Sequence, residues 1–342
     1  MTSKVIAMFN HKGGVSKTTS AFNIGWNLAS RNKRVLLVDG DPQCNLTGLI
    51  LGDNFENYYT NEETKKNNLY DGVQPAFAGG PNPITGLKCV QTKNSNLFLL
   101  PGHLNLSELE TQLSFALLQN QQLSTLQNLP GSFYYLIQAC SEKYNIDIVI
   151  IDMNPGLGAI NQTLFMSSDG FILPTNPDPF SVMAINTLAK VTPRWNKVAA
   201  DFNENFKSAA YKLPDSRHVF LGSLIQRFNL MKGKPANAYT DLIKQIKIAI
   251  CQTLVPALKK NKMLLDDYPE HLVESLYTLA EIRNFDALMT FSNEYAVPVF
   301  DLKDDQIAQS GAALNSMTEK RDKIKATFGL LSDYLMEELA EL

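Results

Sequence analysis

Near the N-terminus five apolar residues, Val5-Ile6-Ala7-Met8-Phe9, run into Asn10-His11-Lys12-Gly13-Gly14-Val15-Ser16-Lys17-Thr18-Thr19 and then into a stretch of helical character. An apolar strand, a glycine turn and a helix start leave the chain little freedom. The first N–H groups of the helix must sit beside the C-terminal end of the strand, and with the helix dipole they form an anion site. Lys17 then stands where its ammonium reaches the outer groups of an oligophosphate, and the Thr18 hydroxyl where it can ligate Mg2+. The strict G-x-x-x-x-G-K-[ST] pattern is not met, because His11 and Ser16 take the two glycine positions. A chance glycine turn before a helix is the plain alternative, and the strand–turn–helix context weighs against it.

Further on, short apolar runs alternate with longer amphipathic stretches. Residues 4–9, 34–39, 97–100, 146–152, 170–174, 219–226 and 297–300 read as strands. Several are continuous in Val, Ile, Leu and Phe, as expected of strands covered on both faces. Helix candidates at 18–30, 132–143 and 180–190 lie between them. This order predicts an α/β fold, a doubly wound and mostly parallel sheet with peripheral helical elaborations. Residues 52–93, rich in Asn, Gly, Pro and Thr, read as an excursion from the sheet, and 193–215 and 239–280 as peripheral helices. Leu314, Met317, Ile324, Phe328, Leu331, Leu335 and Leu339 recur at helical spacing and predict an amphipathic helix over about 312–341, packed on the sheet. We read the whole of 1–342 as one elaborated domain.

Two strands end in carboxylates. Arg34-Val35-Leu36-Leu37-Val38-Asp39-Gly40-Asp41-Pro42-Gln43-Cys44-Asn45 puts Asp39 and Asp41 where α/β sheets bind ligands. Alone, such a pair is as readily a solvated cap. Ile146-Asp147-Ile148-Val149-Ile150-Ile151-Asp152 is an apolar strand ending in an Asp suited to hold Mg2+ directly or through water.

Lys12–Thr19, K-G-G-x-x-K-T-T, resembles the deviant Walker A loop of the ParA/MinD ATPases, closest to ParA-type partition ATPases. The segment D-x-D-P-Q-x-N at 39–45 resembles their switch I, and 152–158 their switch II, with Asn154 and Gly156 departing from D-x-P-P-x-L-G. The resemblance implies that Lys12, Gly13, Gly14, Val15, Ser16, Lys17, Thr18 and Thr19 bind ATP. Lys12 would act across a homodimer with ATP sandwiched between the copies, as an arginine finger does elsewhere. Asp41 would position the attacking water, and Thr18, Asp39 and Asp152 would hold or support Mg2+. Weaker matches at 100–110, 170–180 and 224–229 extend the likeness; 52–93 has no counterpart. Because the loop starts at Asn10, no room is expected for an N-terminal helix-turn-helix domain.

The family further implies a weak ATP hydrolase of the cytoplasm and nucleoid that holds DNA without sequence preference and answers to an adaptor of ParB type while positioning a plasmid, chromosome or other cargo. A net charge of −3 speaks mildly against a dedicated sequence reader. The candidate basic groups are Lys65-Lys66, Arg227 with Lys232 and Lys234, Lys259-Lys260 with Lys262, and Lys320-Arg321 with Lys323 and Lys325; each could equally be a solvated face. The competing class is a regulatory or MinD-like positioning ATPase acting on a protein or membrane. The acidic ending Met336-Glu337-Glu338-Leu339-Ala340-Glu341-Leu342 lacks the Lys and Arg of a membrane-surface helix, so no membrane partner is expected. Cys44, Cys89, Cys140 and Cys251 form no CxxC pair, and no His spacing suggests zinc. Cys44 stands inside the switch I segment and Cys140 in a helix, and neither matches the cysteines that hold an iron–sulfur cluster across a dimer in reductases sharing the loop.

Overall fold

The computed structural model describes residues 3–79, 82–118, 126–228, 230–231, 234–235 and 237–341, with backbone alone at 230–238. Its first half runs β1 (Lys4–Met8), α1 (Lys17–Ala29), β2 (Val35–Gly40), α2 (Asn45–Leu51), α3 (Phe55–Thr60), α4 (Leu69–Phe77), β3 (Val90–Gln91), β4 (Leu97–Leu100), α5 (Glu110–Leu118), α6 (Ser132–Tyr144), β5 (Ile148–Met153), α7 (Ala159–Met166) and β6 (Gly170–Thr175). The second half continues α8 (Pro179–Asn205), β7 (Val219–Phe228), β8 (Leu230–Met231), β9 (Lys234–Pro235), α9 (Asn237–Ala249), α10 (Val255–Lys260), α11 (Glu270–Glu274), β10 (Thr278–Arg283), α12 (Ala287–Tyr295) and α13 (Gly311–Glu341).

Among the described residues eight strands form one sheet, in the order β10-β7-β6-β1-β5-β2-β4-β3. All its pairings are parallel except that of β3 with β4. Alternation along β1 divides the core between the two faces. Val5, Ala7 and Phe9 join Phe133, Phe165 and Trp195 on one side; Ile6 and Met8 join Phe22, Trp26 and Phe328 on the other. The Phe9 ring lies 5.2 Å from Trp195 and 5.5 Å from Phe165, so the residue opening the glycine loop is anchored in aromatic packing.

Three expectations change. The apolar run at 297–300 is no strand: Val299–Asp301 forms a 3-10 turn behind Pro298, burying Val299 and Phe300 beneath α13. Pro298 cannot donate to a ladder, and burial alone explains the apolar run. The span 239–280 is helical only in part, since β10 starts at Thr278. Leu279, Ala280 and Glu281 favour helix, yet this sheet-edge segment pairs with β7; tertiary context overrides propensity. Helix α8 continues through Pro193 to Asn205, although Pro193 cannot donate to the carbonyl of Ala189.

The predicted C-terminal helix is present as α13. Its apolar stripe, Ile324, Phe328, Leu331, Leu335 and Leu339, is buried against α1 and β10. Residues 52–93 hold α3 and α4, and Leu69 and Val73 enter the core beside α6. Among the described residues no helix is long and apolar enough to cross a membrane.

Candidate functional site

β1, β2 and β5 deliver their C-terminal ends to one place, because Met8 and Asp39 are both register partners of Asp152. The glycine loop turns there into α1. Gly14 (φ 71°) and Ser16 (φ 60°, ψ 32°) take the left-handed conformation that bends the chain into the helix. Glycine suits it; a serine there stores roughly 1 kcal/mol or more of strain. The Ser16 carbonyl still accepts from Ser20 N at 3.0 Å, so the first turn closes normally. The loop is braced from behind: Asn10 Nδ2 donates to Pro174 O at 2.8 Å, and Gln226 Nε2 to Val15 O at 3.2 Å.

Lys17 is almost fully buried, its Nζ donating to Lys12 O at 3.2 Å. Burial lowers its pKa, against the opposing pull of Asp152 and Asp41. Asp152 is 1% exposed, and among the described residues neither of its oxygens has a hydrogen-bond partner. Burial, and then Asp39 alongside, push its pKa well above the carboxylate range, while the nearby Thr18 hydroxyl and Lys17 pull it down. A buried carboxylate without partners is costly unless a cation satisfies it. Beside the Thr18 hydroxyl, those two oxygens suit a hard, oxygen-liking ion such as Mg2+.

Asp39 is placed differently. Its Oδ2 accepts from Thr47 N at 2.8 Å and Thr47 Oγ1 at 2.7 Å, and its Oδ1 from Asp41 N at 3.2 Å. Burial raises its pKa to about 6 against those three bonds. Both oxygens are thus engaged in holding the turn between β2 and α2. Asp41 stands on that turn with its Oδ1 accepting from Gln43 N at 2.9 Å, and it borders the cleft.

Lys12, the other signature lysine, does not line the cleft. Its ammonium pairs with Asp178, the residue whose Oδ1 caps α8 by accepting from Ser181 N at 3.0 Å. Pro155 of the 152–158 segment packs on the loop, 3.7 Å from where a Cβ on Gly13 would lie. Asn161 Nδ2 gathers that segment by donating to Asn154 O and Gly156 O, each at 2.9 Å. Glu110, on the 100–110 stretch, accepts from Ala159 N and, at 3.1 Å, from Ile160 N, which caps α7.

The cleft is about 740 Å³, a volume suited to a nucleotide-sized ligand. One end is the loop 14–19 with Asp41. The rest of the lining includes Gln226 and Arg227, which bond to the loop, and Arg283, Asn284, Phe285 and Asn293. Arg283, Asn284, Phe285 and Asn293 escaped the sequence analysis, because their placement depends on β10 lying beside β7. Arg227, grouped above with a basic cluster, instead donates to Gly14 O at 3.1 Å.

The other basic groups also separate. Lys320 pairs with Asp286, Arg321 with Asp304 and Asp322, Lys323 with Glu319, and Lys65 with Glu62. Lys259, Lys260 and Lys262 are exposed at the end of α10 and, among the described residues, make no ion pair. The side chains of Lys232 and Lys234 lie outside the described residues.

A family model described as an AAA domain matches residues 3–208. An uncharacterized protein of Mycobacterium tuberculosis is 33% identical over 198 residues, covering 56% of this chain and 54% of its own. The chromosome partitioning protein ParA of Caulobacter vibrioides is 28% identical over 192 residues, covering 56% and 62%. The chain thus spans about half the length of the first of these relatives. A crystal structure of a Corynebacterium diphtheriae protein superposes with a TM-score of 0.62 at 24% identity, covering 86% of this chain and 96% of that one, a likeness of fold.

Proposed function

The chain belongs to the AAA-domain family, as an ATPase of the ParA/MinD type, and from that premise we propose that it is an ATP-dependent dimerising switch that positions DNA-bound cargo. The observation that carries this reading is the meeting of the 12–19 loop, Asp41 and the unpartnered Asp152 carboxylate at one end of a parallel sheet.

In this reading loop 12–19 cradles the phosphates of ATP through its N–H groups, and Lys17 supplies a counter-charge inside the loop. Thr18 and Asp152 hold Mg2+, with Asp39 supporting them from behind through the turn it fixes. When bound, Mg2+ neutralises charge that builds on the phosphates during cleavage. Asp41 orients the attacking water. Lys12 exchanges Asp178 for the phosphates of a second copy, so each protomer completes the other's site.

ATP thereby joins two copies, and the dimer gathers enough basic surface to hold DNA by its backbone. An adaptor of ParB type speeds hydrolysis and release. The apolar face of α13 is already covered by α1 and β10, which favours DNA over a membrane surface as the substrate of positioning. DNA pelleting with ATP, ADP and no nucleotide tests the proposal. Retention confined to ATP, falling steeply with salt and indifferent to sequence, is expected; no retention in any state at low salt would exclude it.

A further inference from the structure

The 52–93 excursion stands outside the phosphate loop, yet one of its side chains reaches the turn that carries Asp41. Tyr59, on α3, donates its hydroxyl to Gly102 O at 2.6 Å. Gly102 N donates to Thr47 Oγ1 at 3.0 Å, and Thr47 Oγ1 donates to the buried Asp39 carboxylate, which accepts Asp41 N. A continuous hydrogen-bonded chain therefore runs from the excursion to Asp41. The backbone at 102 is pressed so close that a Cβ on Gly102 would lie 3.0 Å from Asp39 O and 3.1 Å from Asp39 Cγ. A side chain at 102 would therefore crowd the strand end and require Asp39 to give by a few tenths of an ångström.

The surroundings hold Tyr59 in place. His103 meets it edge-on with ring centroids 5.5 Å apart, and Tyr70 of α4 stacks on His103 at 5.2 Å. The Tyr59 hydroxyl also lies beside the thiol of Cys44. Cys44 is buried in a left-handed conformation (φ 53°), and its N–H donates to Asp41 O at 2.8 Å. A non-glycine residue persists in that conformation only where its neighbours over-determine it. By contrast Tyr58, next in sequence, donates to Asn67 O at 2.7 Å and so stays within the excursion.

We propose that Tyr59 is a positioning residue for ATP hydrolysis: through Gly102 and Thr47 it fixes the turn bearing Asp41, so that the 52–93 excursion sets the rate of cleavage. This rests on the hydrolysis reading above. It assigns the excursion a task that the phosphate loop itself does not need, since among the described residues the bonds of Tyr59 lead to Gly102, Thr47 and Asp39 and not to loop 12–19.

The test compares Tyr59→Phe and Tyr58→Phe in the full chain carrying Cys251→Ser, each variant losing one hydroxyl and keeping its ring. Three quantities are read: ATP affinity at equilibrium, ATP turnover, and the rate at which iodoacetamide labels Cys44, followed by peptide mass. For Tyr59→Phe we expect turnover to fall about fivefold, the effect of one neutral hydrogen bond, with ATP affinity within about twofold. Cys44 should label several-fold faster. Tyr58→Phe should change none of the three. Equal turnover in Tyr59→Phe and the parent, or equal losses in both variants, would overturn the positioning role while leaving hydrolysis standing. A parent that does not turn over ATP would instead overturn the hydrolysis reading, and this inference with it.

Discussion

The ammonium of Lys12 lies against the carboxylate of Asp178, so the lysine expected to serve a neighbouring molecule is held within its own chain. The pair is partly exposed, 19% for the Lys12 side chain and 30% for Asp178, and such pairs contribute only about 1 kcal/mol or less. In the proposed switch a contact of that size is exchanged for phosphate charge at little cost, and until then it holds Lys12 within its own chain.

Asp178→Asn keeps an oxygen to cap α8 but removes the charge facing Lys12. The ATP-dependent dimer should then form at a few-fold lower protein concentration, with monomer ATP affinity unchanged. Analytical ultracentrifugation across a dilution series measures this. A weaker dimer would mean that Asp178 works across the interface and not as a restraint on Lys12.

The DNA-holding face is predicted at the end of α10. Charge reversal at Lys259, Lys260 and Lys262 should abolish ATP-dependent DNA retention and flatten its salt dependence, leaving ATP turnover intact. The same reversal at Lys320, Arg321 and Lys323 should have the smaller effect on retention, because these three already face Asp286, Asp304, Asp322 and Glu319. The opposite ranking, read by gel shift at fixed salt, would move the face to α13.

A pH effect follows from His218, which is fully buried, with Nδ1 2.6 Å from Ser168 O and Nε2 without a partner among the described residues. Burial holds its pKa down at about 4. Below pH 6.5 the unfolded chain takes up a proton that the folded chain refuses, so this contribution to stability is lost as pH falls from about 6.5 towards 4. At pH 5 the loss is about 2 kcal/mol relative to neutral pH. His218→Gln should be less pH-sensitive than the parent by that amount in urea unfolding, the shared carboxylates cancelling in the comparison. Parallel stability curves for the two proteins would contradict the buried neutral imidazole.

Much of this arrangement was legible beforehand, for a physical reason. β1, β2, β5 and β6 are covered on both faces and so read as unbroken apolar runs, and a strand, a glycine turn and a helix place Lys17 and Thr18 without any tertiary information. Local sequence could not disclose what depends on distant segments meeting. β10 carries helix-favouring Leu279, Ala280 and Glu281 and is a strand only because β7 offers it an edge. With β10 hidden, Arg283, Asn284 and Phe285 could not be placed in the cleft. The bonds of Asp39 to Thr47 likewise follow from how α2 returns to the strand end. Tyr59 gave no signal of its own; its use depends on Gly102 arriving from another part of the chain.

The central claim is that ATP joins two copies and its cleavage frees them, and the mass of the protein in solution tests it most directly. Light scattering should be recorded for the parent, Asp41→Ala and Lys12→Ala, each with Mg2+ and saturating ATP. Asp41→Ala should bind ATP, fail to cleave it and accumulate as a stable dimer, because the water-orienting group has gone while loop 12–19 and Asp152 remain. Lys12→Ala should keep its own nucleotide, hydrolyse it poorly and stay largely monomeric, having lost the charge it lends its neighbour. A monomeric Asp41→Ala with ATP bound, or a Lys12→Ala that dimerises and hydrolyses like the parent, would contradict the switch.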